Sequence, residues 1–201
     1  MAIRTANNQS LTEITALPSA VALGGLVLLE TQTASSDDTL DFTSNIDSTY
    51  KEYIFKCYNM HPADNDVNFS FNGSIDAGSN YNVTKTTTFV NAHHEENDGS
   101  AALAYITNRD LAQSTDFQKL NYDIGNANDE DTCGTLHIFN PSSTTFVKHF
   151  YSTSVGNGQA EDCMNDYVAG YFNTTSAINA IQFKMRLGNI DSGVIKLYGI
   201  K

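Results

Sequence analysis

The chain has 201 residues, with 11 Lys or Arg against 23 Asp or Glu and a net charge of −12. That length suits a single domain able to bury a core of its own. With so few basic residues, and those scattered, the charge excludes a phosphate-tracking nucleic-acid surface and attachment to an anionic membrane. Only 17% of residues are charged, so Asn, Ser, Thr and Asp carry the surface, and these favour turns between short strands.

Residues 1–24 begin polar and become small and apolar. Ser10 with Glu13 fits a capping box, so a short helix over 11–17 ended by Pro18 competes evenly with an extended arm. The apolar stretch 17–29 is broken by Pro18 and Gly24-Gly25 and is too short for a membrane span. Glu13 and the lack of a compact apolar run argue against a signal peptide, and so against secretion by a general route. The reading is an N-terminal arm at 1–24, for attachment or oligomer contact, followed by one β-sandwich domain over 25–201.

Strands are predicted at 25–33, 39–43, 50–60, 67–73 and 81–92. The third, YKEYIFKCYNM, is apolar on both sides and suits the centre of a sheet. In the fourth, Val67, Phe69 and Phe71 face one way. Residues 93–131 are the least regular; a strand at 101–106 and some helical character over 110–120 are expected, in an excursion that covers one end or edge of the sheets. Strands at 135–140 and 145–152 meet at the turn Pro141-Ser142-Ser143, and 155–165 reads as a Gly/Asn loop. Three final runs lie at 167–172, 180–187 and 193–200. In the middle run Ile181, Phe183, Met185 and Leu187 alternate with Gln182, Lys184 and Arg186, the period of a half-buried strand. Gly188-Asn189 and Asp191-Ser192-Gly193 after it predict a hairpin. Nine or ten short strands without βαβ alternation give an all-β fold, an antiparallel β-sandwich of jelly-roll rather than immunoglobulin type.

The chemistry is sparse. Nucleophile-elbow, zinc-protease, P-loop and dinucleotide motifs are missing, so the expectation is a non-enzymatic protein with no cofactor and no resident metal. His93-His94-Glu95-Glu96 catches the eye, but strand neighbours point to opposite faces, and a solvated loop is the simpler reading. Asp64-Asn65-Asp66 and Asp129-Glu130-Asp131 are oxygen-rich without the spacing of a calcium loop. Cys57, Cys133 and Cys163 form no CxxC pair and are read as reduced and structural, Cys57 in the core. The four Asn-x-Ser/Thr triplets are what chance yields in so Asn-rich a chain. Aromatic residues near amide-rich loops suit sugar recognition, which singles out Tyr81, Tyr105, Tyr122 and Tyr151, with ordinary packing as the alternative for each. The loops at 74–80, 93–100 and 153–165 would then form the contact face.

Four phrases carry a resemblance: YKEYIFKCYNMHPADNDVNFSFNGS (50–74), GTLHIFNPSSTTFVKHF (134–150), YVAGYFNTTSAINAIQFKM (167–185) and GNIDSGVIKLYGIK (188–201). They resemble virion structural proteins of marine bacteriophages that end in a strand similar to SGxIKLYGI. The resemblance covers most of 26–201 and carries no catalytic residues. It implies a tail or head fibre, spike or capsid decoration protein, made in a bacterial cytoplasm and located on the virion. It further implies self-association, typically as a homotrimer, and docking on other virion proteins. The alternative is a carbohydrate- or receptor-binding sandwich recognising a host surface glycan; a secreted adhesin is the third reading.

Overall fold

Residues 25–158 and 160–200 are described by a computed structural model, and the arm expected at 1–24 lies outside them. Among these residues are twelve strands and no helix. One sheet has the order β1 (Leu26–Asp37), β12 (Ile190–Ile200), β3 (Glu52–Pro62), β8 (Thr132–Phe139), β9 (Lys148–Gly158), β10 (Asp162–Phe172), β5 (Lys85–Glu95), β6 (Ala101–Tyr105). The other has the order β2 (Leu40–Phe42), β11 (Ala180–Met185), β4 (Phe69–Ser74), β7 (Gln118–Lys119). Both sheets are antiparallel and pack together as a β-sandwich, the fold class the sequence predicts. As its two apolar faces require, β3 lies inside the large sheet, between β12 and β8.

The connectivity has a simple logic. β1 pairs with β12, β2 with β11, β3 with β8, and β4 with β7. Eight strands thus run out and back as a paired ribbon, wound so that its halves alternate between the two sheets. The remaining strands, β5, β6, β9 and β10, lie beyond β8 and broaden one sheet alone.

The core is aromatic. Phe183 on β11 faces Phe42, Phe55, Phe69 and Phe71 with ring centroids 6.0, 5.2, 5.6 and 6.3 Å away. Phe71 also meets Phe150 edge-on at 5.1 Å, which joins β4 to the large sheet. All six rings are buried, as the period-two pattern of these strands demands.

Three expectations are corrected. First, β11 and β12 do not form a hairpin, because they belong to different sheets. Phe183 and Met185 on one and Ile195 and Leu197 on the other are all buried, so the strands face each other across the core. Gly188, at φ +63°, turns the chain between layers, and Asn189 donates to the Ser36 carbonyl to hold it there. Second, residues 155–165 are not a loop; β9 continues to Gly158 and β10 starts at Asp162. Neighbours on both sides of β9 and of β10 satisfy the backbone, which overrides the weak strand propensity of Gly and Asn.

Third, residues 110–120 are not helical. An isolated helix of that length is marginal in water. Here tertiary bonds win: Thr87 donates its N–H to the Leu111 carbonyl, and Lys85 and Ser114 exchange backbone bonds. The segment takes the edge of β5 that the short β6 leaves open, in line with the expected role of the excursion. A buried polar cluster pins it. Arg109 donates to Asn68 at 2.7 Å, pairs with Asp123 and lies 4.4 Å above the Tyr122 ring. Asp166 on β10 accepts from Asn91 and from the Tyr122 N–H, both at 2.8 Å, while burial pushes its carboxyl up to about 6.

Lys85 is fully buried, with its ammonium donating to Asn72 at 2.6 Å and the Val83 carbonyl at 2.8 Å. Burial brings its pKa down from 10.5 to about 7, against a small upward pull from Asp116. The folded chain therefore binds this proton less readily than the unfolded chain, and Lys85 contributes stability that grows as pH rises from about 7 toward 10.5. Thermal melts of Lys85→Met are expected to lose the rise in Tm that the parent displays between about pH 7 and pH 9. Equal slopes in parent and variant would mean that the ammonium is solvated in the folded state.

Candidate functional site: the outer face of the large sheet

The small sheet and the excursion cover one side of the large sheet, and nothing among the described residues covers the other. Register fixes what that outer face displays. One cross-strand row runs Lys196, Lys56, Thr135, Thr153, Tyr167, Val90, Tyr105 from β12 to β6. The row beside it contains Tyr198, Ile54, His137, Tyr151 and Ala169. Tyr151, Val155 and Tyr167 are 39%, 50% and 52% exposed, so large apolar groups stand in solvent along the face.

Charge is nearly absent there. On the described strands, histidines apart, Glu52, Lys56 and Lys196 are the charged side chains in the middle of this face, with Asp191, 3.6 Å from His61, at one end of β12. A chain of net charge −12 has therefore kept its acids, Glu52 and Asp191 excepted, off the strands of its broadest surface. Glu52 bonds to His137 Nδ1 at 2.6 Å. Lys56 and Lys196 stand directly opposite each other, an unfavourable like-charge pair, and each lies over a tyrosine: Lys56 5.5 Å from the Tyr198 ring, Lys196 5.8 Å from that of Tyr58.

The rings are ordered. His137 stacks on Tyr151 at 4.5 Å, Phe139 tilts against Tyr151 at 5.8 Å, and His149 lies 5.9 Å from Tyr171. Phe139, Tyr151, His149 and Tyr171 rim an open hollow of about 440 Å³, with Thr86 and Thr88 on its far wall. Gly170 lines it with backbone alone; a Cβ would point to the inner side and meet Thr87 Cγ2 at 2.6 Å and Phe150 Cζ at 2.9 Å. A second hollow of about 380 Å³ lies between Tyr58, Thr135, Val155 and Asn165.

No protein-family model, curated protein or solved structure matches the chain. The face therefore has to be read from its own geometry.

The four tyrosines singled out in sequence are not brought together. Tyr151 belongs to the ring cluster, on strand β9 and not in a loop. Tyr105 lies at the end of β6, donating to Asp110 at 2.6 Å. Tyr122 is on the inner side, beneath Arg109. The Tyr81 hydroxyl is buried and lacks a partner, pressed close to Gly78. Nor do the three loops make one face. Residues 93–100 and the β9–β10 turn meet through the Glu96 N–H and the Glu161 carbonyl, whereas 74–80 lies at the opposite end of β5, beside Asn179. Sequence reasoning passed over Tyr58, Phe139, Tyr167, Tyr171 and Tyr198, and read His149 with His137 as an ordinary cross-strand pair. The alternation of His149 with Tyr151, and of Tyr167 with Tyr171, carried a signal for one shared side.

The polar clusters resolve locally. His93 turns toward Asn91 and Ser100, while His94 pairs with Asp98 at 3.0 Å. Among the described residues no three His, Cys, Asp or Glu side chains converge on one ion position. The three cysteines are free: Cys57 is buried, Cys133 is half-buried with its Sγ accepting from the Asn59 N–H, and Cys163 is exposed.

Proposed function

We propose that this chain is a non-enzymatic virion structural protein of a bacteriophage, a jelly-roll-like module that acts by self-assembly and by docking on other virion proteins. The observation that carries the reading is the uncovered outer face, aromatic and nearly free of charge on an acidic chain. Aromatic enrichment with charge depletion is the mark of an interface core. Eight strands at about 4.8 Å and six or seven residues at about 3.3 Å give a face on the order of 700 Å², close to the roughly 800 Å² that one partner of a standard interface contributes. A sugar occupies far less than this width. The basic pair Lys56 and Lys196 repels its own copy face to face and suits the acidic surface found elsewhere on a neighbour. That favours head-to-tail contacts, which close into a ring such as a trimeric one and leave the sheet edges free to join rings.

Two further points support the virion setting. The ribbon pairing of β1–β12, β2–β11, β3–β8 and β4–β7 matches a jelly roll with extra strands added to one sheet, an architecture common in capsid proteins. This is analogy at the level of fold, and the phrase-level resemblance of residues 50–74 and 134–201 adds to it.

The second reading, a glycan-binding module, is favoured by the hollow rimmed by Tyr151 and Tyr171, whose volume lies within the range of ligand pockets. One experiment weighs both readings. Tyr151→Glu with Tyr167→Glu places charge on the face without touching the core. Under the assembly reading the parent is multimeric by light scattering on a size-exclusion column, and the variant loses at least one subunit contact. A parent that is monomeric at all concentrations, with glycan-array binding abolished by the variant, would replace assembly by sugar recognition.

A further inference from the structure

Among the described residues the sandwich has four sheet edges, and three of them are protected. β2 and β7, at the edges of the small sheet, are three and two residues long. β1 is long but bulged between Leu28 and Glu30, and it carries Glu30, which accepts from Gln32, Ser44 and Asn45; Gln32 also donates to the Asp41 carbonyl. A bulge, a charge and a covering loop are the usual means of blocking an edge.

β6 has none of these. Its sequence is Ala-Ala-Leu-Ala-Tyr, without charge, proline or bulge, and all five residues are exposed, Leu103 by 75%. The hydrogen bonds from Glu95 N to Ser100 O and from Ile106 N to Phe89 O set the phase of the β5–β6 ladder. In that phase Ala102 and Ala104 spend their backbone groups on β5, while Ala101, Leu103 and Tyr105 point their N–H and C=O groups outward. Three donors and three acceptors thus line an apolar edge.

We propose that β6 pairs antiparallel with β6 of a second copy across a twofold axis at Leu103, joining two large sheets into one. A free strand edge is satisfied by another strand, and among the described residues β6 is the edge that nothing blocks. With Leu103 opposite Leu103, and Ala101 opposite Tyr105, the pairing makes about six backbone hydrogen bonds and closes on itself, which an edge joined to a different edge does not. The proposal shares with the assembly reading only the need for a second copy. It uses the strand edge, not the sheet face.

The test is a disulfide trap together with a mass. Opposed Leu103 residues would form a hydrogen-bonded pair with Cα atoms about 5.5 Å apart, within the range of a disulfide. In a Cys163→Ser background, Leu103→Cys is expected to give a reducible covalent dimer on mild oxidation, and Ala102→Cys is expected not to. Leu103→Pro removes only an outward N–H, a substitution edge strands tolerate, so the circular dichroism of the parent is expected to be kept while the mass in solution halves. An odd-numbered parent assembly such as a trimer, or equal trapping at positions 102 and 103, overturns the edge proposal and leaves the face reading standing. Conversely, a dimer that Tyr167→Glu leaves intact and Leu103→Pro splits sustains the edge and removes the face.

Discussion

Phe183→Ala is expected to lower the unfolding free energy by about 3–5 kcal/mol, the usual cost of emptying a fully buried phenyl site. Phe183 is completely enclosed and touches rings from β2, β3 and β4 at once. Those rings come from both sheets, and each is held by its own strand register, so the space is not easily refilled by collapse. Against a total of about 5–15 kcal/mol this removes a large share of the stability. In a chain of this size, it corresponds to a fall in Tm of roughly 6–20 °C. Urea unfolding followed by far-ultraviolet circular dichroism checks it, with Phe183→Leu expected to cost less. A loss below about 1 kcal/mol for alanine would mean that the neighbouring rings repack around the void.

Arg109→Met is expected to cost about 3 kcal/mol for a different reason. Removing one member of a buried pair leaves the other charged and unpartnered, which is worse than never having had the pair. Asp123 would lose its cation, Asn68 its 2.7 Å donor, and Tyr122 the guanidinium above its ring. Asp166 would also lose a nearby positive charge that helps keep its carboxyl ionised. The double change Arg109→Met with Asp123→Asn should regain part of the loss, because the stranded carboxylate is then gone. Equilibrium urea unfolding of both single variants and the double variant measures this coupling. Strict additivity would place Asp123 in solvent. Since this cluster pins residues 107–123 over the inner side of β9, β10 and β5, Arg109→Met is also expected to raise amide exchange through that segment before the rest of the sandwich.

The strands and their inward faces were legible because alternation is local. Ile181, Phe183, Met185 and Leu187 read as one side from their spacing alone; the first three are buried, while Leu187, past the end of β11, is exposed. The double-faced apolar character of 50–60 likewise placed β3 inside a sheet. Turn residues were less informative. Gly188 and Asn189 allow a sharp reversal, but nothing local says whether the returning strand lies beside β11 or across the core from it. Residues 110–120 misled for a related reason: their weak helical preference gave way to hydrogen bonds with β5, whose bonded positions at Lys85 and Thr87 lie some 25 residues away in sequence. The Gly/Asn-rich residues 155–165 read as a loop until β8 and β5 are seen to flank the β9–β10 hairpin.

The candidate site divides along the same line. Sequence by itself determined an acidic, all-β chain with period-two strands, an aromatic core and no recognisable catalytic motif. Only the tertiary structure decided that Tyr58, Tyr151, Tyr167 and Tyr198 share one face with few acids, and that among the described residues this face is uncovered and β6 alone presents an unblocked edge. The physical reason is that alternation assigns each side chain a side of its own strand, whereas its neighbours across the sheet, and the presence or absence of a covering layer, depend on pairings between segments far apart in the chain.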